Sequence, residues 1–324
     1  MNAALDNNFC PVCNASAVIY YKSLVDLLFG VSGCWDLVRC SNPKCELVWL
    51  VPKPKKEEIK NFYVNYYTHG IGKKRAVTFN NLIEKYIYKL LKVLYSLLRK
   101  VLFINFERKN LDYMYLKRKQ GKVLEIGCGN GERLFKLRKI GWDVEGTEID
   151  EKAIKVALEK YGVEAYLGDI RDLKLEKEYY DAIIMNHVIE HIYEPIDFLK
   201  RCKELLKEGG KLIITTPNFE SYSHKKFGIY WRGLEPPRHL YLYNCNSLKS
   251  VLSLAGFHKI HTWTSTAKSE FIIRDSMELY LKSTKQKKSA IYLYTIPWYY
   301  QVLFRIMNFF SKNKGDECVC IAKK

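Results

Sequence analysis

Val123-Leu124-Glu125-Ile126-Gly127-Cys128-Gly129-Asn130-Gly131 decides how this chain folds. An apolar run with one acidic residue feeds a loop with glycine at every second position, and helix-like sequence follows over 132–140. Strand, glycine loop and helix in this order make a ligand site at the carboxyl edge of an open α/β sheet. Glycine lets the backbone turn sharply and approach a ligand closely. The position that a dinucleotide fingerprint reserves for its last glycine is Glu132, which argues against that class, and no Gly-Lys-Ser/Thr follows to make a phosphate loop. Glu125 would repel a pyrophosphate. It can instead receive a ligand ammonium group, directly or through water.

The sequence downstream supplies more strands of the same sheet. Trp142-Asp143-Val144-Glu145-Gly146-Thr147-Glu148 reads as a second strand ending in a carboxylate. Glu148 comes 17 positions after Gly131, close to the roughly 20-residue offset at which an acid receives ribose hydroxyls. Residues 163–167 read as a third strand running into Gly168-Asp169-Ile170, 180–186 as a fourth and 209–218 as a fifth. Helical stretches near 150–160 and 194–207 fill the gaps, with Asp150 placed to cap the first of them. Strands alternating with helices imply a doubly wound parallel sheet covered on both faces.

Taken together, Glu125-x-Gly127-x-Gly129-x-Gly131, Glu148, Gly168-Asp169, and Asn186-His187-x-x-Glu190-His191 before Glu194-Pro195 closely resemble the class I S-adenosylmethionine-dependent methyltransferases of type 11/23, over about 121–267. The resemblance implies a seven-stranded Rossmann-like sheet of order 3-2-1-4-5-7-6, its closing strand antiparallel and supplied by Glu317-Cys318-Val319-Cys320-Ile321-Ala322. It also implies roles. Gly127, Cys128, Gly129 and Gly131, with Glu125, would hold the methionine end of the cofactor. Glu148 would bind the ribose, Asp169 would reach the adenine amino group, and Ile149 and Ile170 would flank the ring. Asn186 and His187 would line the same pocket. Read alone, Cys128 is a small packing residue.

The ten cysteines fall at 10, 13, 34, 40, 45, 128, 202, 245, 318 and 320. No basic residue precedes Lys22, so no secretory leader is expected and the thiols should be those of a reduced, cytoplasmic protein. Cys10-Pro11-Val12-Cys13 and Cys40-Ser41-Asn42-Pro43-Lys44-Cys45 are then paired metal ligands, and four thiolates suit tetrahedral zinc. Four sulfurs leave no position open for water, so this zinc would be structural. Cys34 is an extra that could replace a neighbour. Cys318 and Cys320 alternate across a strand and do not chelate one ion easily.

Charge is concentrated outside this pattern. The chain holds 53 basic and 35 acidic residues, a net of +18. Residues 73–122 carry a net of +11 and 265–314 a net of +6, while 123–264 are balanced at 21 of each sign. Both basic segments are also strongly apolar. In the first, Ile83, Ile87, Leu90, Leu91, Leu94, Leu97, Leu98 and Val101 recur at helical spacing between Lys85, Lys89, Lys92, Arg99 and Lys100. In the second, lysines at 282, 285, 287 and 288 precede an aromatic-rich stretch broken by Pro297, which does not read as a spanning helix. Helices lying on the inner face of an anionic bilayer fit both segments; a lid or a dimer contact fits them too. Basic residues with aromatics suit nucleic acid, but this much aliphatic content on the same helices argues against it.

We read a zinc ribbon at 1–52, a linker and helical bridge with an aromatic patch (Phe62, Tyr63, Tyr66, Tyr67) at 53–121, and a methyltransferase domain at 122–324 with a helical insertion at 268–314. The layout resembles zinc-ribbon methyltransferases of surface-polysaccharide clusters, which implies O-methylation of a sugar on a glycan or lipid-linked glycan. Alternatives are an RNA methyltransferase with a zinc finger, a small-molecule or quinone-type enzyme, a deoxysugar C-methyltransferase, and a non-catalytic scaffold. A hydroxyl acceptor needs a base, and histidine is the usual one near neutral pH. His191, oriented by Glu190, is the first candidate and His239 the second. Tyr230, Trp231 and Tyr241 could stack on the acceptor.

Overall fold

A computed structural model of the chain describes residues 9–58, 62, 79, 81–117 and 121–324. Of the aromatic patch, Tyr63, Tyr66 and Tyr67 lie outside the described residues. Three antiparallel strands come first: β1 (Ala17–Leu24), β2 (Trp35–Cys40) and β3 (Val48–Val51). Helices α1 (Leu82–Val101) and α2 (Ile104–Asp112) lead to the core. The core alternates β4 (Gly121–Ile126), α3 (Glu132–Lys139), β5 (Trp142–Glu148), α4 (Glu151–Tyr161), β6 (Ala165–Leu167), β7 (Tyr180–Asn186), α5 (Pro195–Leu205) and β8 (Leu206–Pro217). It continues with α6 (Tyr222–Phe227), β9 (Tyr241–Leu242), α7 (Cys245–Leu254), β10 (His258–Ser265), α8 (Ser269–Ser283), α9 (Ala290–Phe310) and β11 (Glu317–Lys323).

Seven strands form the central sheet in the order β6-β5-β4-β7-β8-β11-β10. Counted within this sheet alone, that is the expected 3-2-1-4-5-7-6. β4, β5, β6, β7 and β8 pair in parallel, and β11 enters antiparallel between β8 and β10. The middle strands bury both faces, with Leu124, Ile183, Ile184 and Ile214 fully inaccessible, which is why they read as unbroken apolar runs. Asp150 caps α4 through Lys152 N at 3.0 Å.

The N-terminal strands do not stand apart as a ribbon. The second sheet has the order β1-β2-β3-β9, with Val48 opposite Leu242 and Trp49 opposite Tyr241. Three strands this short bury too little apolar surface by themselves, and β9 of the core supplies the fourth. The Arg238 guanidinium forks onto Asp26 at 2.8 and 2.9 Å, and Arg39 donates to Glu220 at 2.8 Å, both across the same junction. Trp231 and Tyr241 are buried at this junction, and Tyr230 lies edge-on to Tyr280.

The expected insertion consists of α8 and α9, and α1 lies on α9. Tyr95 stacks on Trp298 at 4.9 Å and its hydroxyl donates to Gln301. Gln301 Nε2 in turn donates to the carbonyls of Thr266 and Ala267 at 2.9 and 3.0 Å, which anchors the layer to the end of β10. Among the described residues no helix is long and apolar enough to cross a membrane.

Candidate active site

The glycine loop leaves β4 in the left-handed region, with φ of +67° at Gly127, +53° at Gly129 and +75° at Gly131. A side chain on Gly127 would strike Val188, its Cβ lying 2.6 Å from Cγ2. The loop that follows β7 therefore abuts the glycine loop. A Cβ on Gly129 would meet nothing within 4 Å, so here the backbone presents an open face that a ligand can approach. Residues and space fit the methionine end of the expected cofactor.

Glu148 closes this loop at the end of β5. Its carboxylate accepts from Gly129 N at 2.8 Å, Ile149 N at 2.7 Å and Asp150 N at 3.1 Å. One acid thus ties two strand ends together where the ribose is expected. Glu125 is buried, and Arg133 of α3 pairs with its Oε1. Burial raises its pKa and the guanidinium opposes the rise. Arg133 takes one oxygen of the expected ammonium seat at Glu125, and the buried Oε2 has no hydrogen-bond partner among the described residues. Cys128 packs with Leu134 and Val163, and burial pushes its thiol pKa up.

Of the two residues expected at the adenine ring, Ile149 is exposed and available, but Ile170 is fully buried in the core and offers no free face. It follows Asp169 directly, and the chain turns it inward under α5. Asp169 pairs with Arg171 at 2.7 Å, and Arg171 reaches Glu194 at 3.2 Å.

At the end of β7, Asn186 accepts from the Thr215 hydroxyl at 2.8 Å. His187 comes next, with φ of +56°. Its Nδ1 lies 3.3 Å from Glu190 Oε1 and its Nε2 lies 2.9 Å from Glu317 Oε1. Both carboxylates are buried, while the His187 side chain is 36 % exposed. Burial by itself would lower the His187 pKa, but the flanking carboxylates raise it to about 9. Burial would likewise raise Glu190, yet the neighbouring histidines, His187 first, hold it down at about 2. His187 is thus more than pocket lining. Glu317 had no local signal in the sequence: the antiparallel entry of β11 sets it opposite Pro217 at the end of β8. Beside it Asp316 is buried, and burial lifts its pKa to about 6.

His191 and His239 come together edge to face, with ring centroids 4.8 Å apart. His191 Nδ1 meets the carbonyl of Arg238 at 3.0 Å, and His239 Nδ1 that of Gly233 at 2.8 Å. Burial lowers the His239 pKa to about 4. Glu190 belongs to this group by proximity, one ligand atom of each residue lying within 4.8 Å of the other two. Its Oε2 accepts from the Thr216 hydroxyl at 2.9 Å, and its Oε1 lies 3.3 Å from His187 Nδ1. Glu190 thus stands between His187 and His191, and backbone carbonyls also hold the rings of His191 and His239.

A second constellation lies in the N-terminal sheet. Sγ atoms of Cys10, Cys13, Cys40 and Cys45 all lie within 4.8 Å of one another. Cys10 is 3.7 Å from Cys45 and Cys13 is 3.3 Å from Cys40. Val12 N and Asn42 N point at Cys10 and Cys40 at 3.5 and 3.4 Å, as in two knuckles. Cys34 is exposed and stands outside the group.

A family model described as "Methyltransferase domain" matches residues 98–262, just over half of the chain. The chain belongs to this family. Its core is that of a class I S-adenosylmethionine-dependent methyltransferase, as the strand order and glycine loop require. A ubiquinone biosynthesis O-methyltransferase of Roseobacter denitrificans is 34% identical over 102 residues, 30% of this chain and 41% of that protein. A protein of the same name from Coxiella burnetii is 32% identical over 113 residues, 33% of this chain and 48% of its own length. The chain spans less than half the length of these curated relatives. Among solved structures, a SAM dependent methyltransferase from Archaeoglobus fulgidus is 24% identical with a TM-score of 0.46, covering 69% of this chain and 93% of that one. Phosphoethanolamine N-methyltransferase 2 of Haemonchus contortus is 18% identical with a TM-score of 0.49, covering 96% of this chain and 69% of that one.

Proposed function

We propose that this methyltransferase-family chain transfers a methyl group from S-adenosylmethionine to a hydroxyl oxygen of a small-molecule acceptor, with His191 taking the acceptor's proton. The observation that carries the reading is the pairing of His191 with His239 just beyond β7, ring centroids 4.8 Å apart, with Glu190 beside them and His191 Nδ1 held by the Arg238 carbonyl. When bound, the cofactor supplies a methyl group that is already activated. What the chain must add is alignment and a proton acceptor. As the acceptor oxygen bonds to the methyl carbon, its proton passes to Nε2 of His191, the tautomer being set by Nδ1–H on the Arg238 carbonyl. Glu190, close by, stabilises the imidazolium that results.

Two observations favour a small acceptor over the sugar of a glycan. The named relatives are ubiquinone biosynthesis O-methyltransferases. A cavity of about 200 Å³ lies between Leu24, Leu28, Ile229, Leu234 and Leu279, and Glu235 in its wall is 3.8 Å from His239. Its apolar lining suits an aromatic or alkyl body better than a polyhydroxylated one. The small-molecule alternative thus displaces the sugar reading as the preferred one. The test is a pH–rate profile: turnover should rise with pH in the parent, and His191→Asn should abolish that rise while His187→Asn keeps it. A His191→Asn variant that keeps the parent's rate and profile would remove His191 as the base.

We also propose one structural zinc held by Cys10, Cys13, Cys40 and Cys45. Tetrahedral zinc with bonds of 2.3 Å spaces its sulfurs about 3.8 Å apart, and the closest sulfur pairs stand at 3.7 and 3.3 Å. Elemental analysis of protein prepared without oxygen should find one zinc per chain. Finding none would dismiss the site.

A further inference from the structure

One helix keeps its apolar face out of the fold. α1 packs on α9 through Tyr88 and Tyr95, two turns apart on one side. Ile83, Ile87, Leu90, Leu94, Leu97 and Val101 alternate by four and three along another side, and all are exposed, Leu90 and Val101 at 70 % each. Such a row is the stripe that a helix normally buries. It does not end with the helix. Phe103 and Phe106 continue it, exposed. Arg305 of α9 donates to Leu102 O at 3.1 Å and lies 5.2 Å from the Phe309 ring, which brings Phe309 and the 88 % exposed Phe310 to the same end. A contiguous patch of this kind on a folded chain marks an interaction surface.

Charge selects the occupant. Beside the stripe α1 carries Lys85, Lys89, Lys92, Arg99 and Lys100 against one acid, Glu84. Lys85, Lys89, Lys92 and Lys100 are exposed. The adjoining residues 63–78 add Lys73, Lys74 and Arg75 and no acid. A second copy of the chain would set this cationic row against itself. An anionic lipid surface complements it and also receives the apolar stripe, which is the arrangement of an interfacial helix. We propose that α1, with the phenylalanines at its end, docks the protein on an anionic bilayer, the helix lying in the headgroup region and α9 above it.

The test is co-sedimentation of the full-length protein with vesicles, one set of phosphatidylcholine alone and one with a third phosphatidylglycerol. Binding to the anionic vesicles should exceed binding to the neutral ones at least tenfold. Replacement of Lys85, Lys89 and Lys92 by glutamine should weaken it by about a hundredfold, since each cation near such a surface contributes about fivefold. Leu90→Ser with Leu94→Ser should weaken binding to both vesicle types, because the apolar share is lost. Cofactor affinity, which these exposed residues do not touch, should stay unchanged in every variant and reports that the core is folded. A parent that ignores anionic vesicles overturns the proposal. If sedimentation velocity then shows a dimer that the double serine variant dissociates, a second copy covers the stripe. A parent that is monomeric and still ignores the vesicles assigns the cover to the chain itself.

Discussion

The glycine loop and the histidine wall meet where Val188 abuts Gly127, yet they are made in different ways. The loop side uses backbone: three glycines, the amides of Gly129, Ile149 and Asp150, and one carboxylate, Glu148, all within the short span 127–150. The histidine side uses side chains from distant segments: His187 and Glu190 after β7, His239 before β9, and Glu317 opening β11. The backbone side is where the expected cofactor contacts fall. Side chains on long-range supports are free to set the acceptor and its chemistry. Changes on the two sides should therefore separate affinity for the cofactor from turnover.

The largest effect should come from outside both walls. Because β3 is completed by β9, the four cysteines brace the segment that carries His239. Chelation or Cys45→Ser should cost on the order of 5 kcal/mol or more, as metal binding and folding are coupled in such sites. Thermal unfolding should show the loss reaching into the methyltransferase core. A core that unfolds at the parent's temperature would mean that the N-terminal sheet is dispensable to it.

On the histidine side, His191→Asn should lower kcat by about 10²- to 10⁴-fold, the usual worth of a placed base, with cofactor affinity held within about twofold. His187→Asn and His239→Asn should cost less. On the loop side, Glu148→Ala should weaken cofactor binding by about 1–3 kcal/mol through lost hydrogen bonds while kcat at saturation persists. Calorimetry and steady-state kinetics on the four variants would collapse the distinction if all of them moved both quantities together.

The smallest effect is on stability against pH. His187 titrates at about 9 when folded, above its ordinary 6.5, so its ion pairs stabilise fully below 6.5 and are lost as pH rises through 9. His224 and His239 are lowered to about 4 by burial, so between 6.5 and 4 the unfolded chain takes up protons that the folded one refuses. Stability should peak near pH 6.5 and fall on either side. Unfolding midpoints for the parent and His187→Asn should differ at pH 6.5 and converge toward pH 10. A constant difference would deny the ion pair.

The loop side was legible in the sequence because its parts are neighbours: Gly127, Gly129, Gly131 and Glu148 take their places from one strand, one turn and the next strand. The pairs Cys10/Cys13 and Cys40/Cys45 were legible for the same reason. Glu317 and the role of His187 were not. Both depend on β11 inserting antiparallel beside β8, a pairing across about 100 residues that no local pattern encodes. Ile170 misled because a residue beside a site acid can point into either layer, and here the core took it. The joining of β3 to β9 was hidden too, since β9 is only two residues long.

The most direct measurement gives the protein methyl-labelled S-adenosylmethionine with three acceptor pools: hydroxylated aromatic small molecules, glycan and lipid-linked glycan, and RNA. The position of the label is then read by mass spectrometry. The expected result is label on a hydroxyl oxygen of the aromatic pool, lost in His191→Asn. Label that enters glycan or RNA and spares the aromatic pool would contradict a small-molecule acceptor.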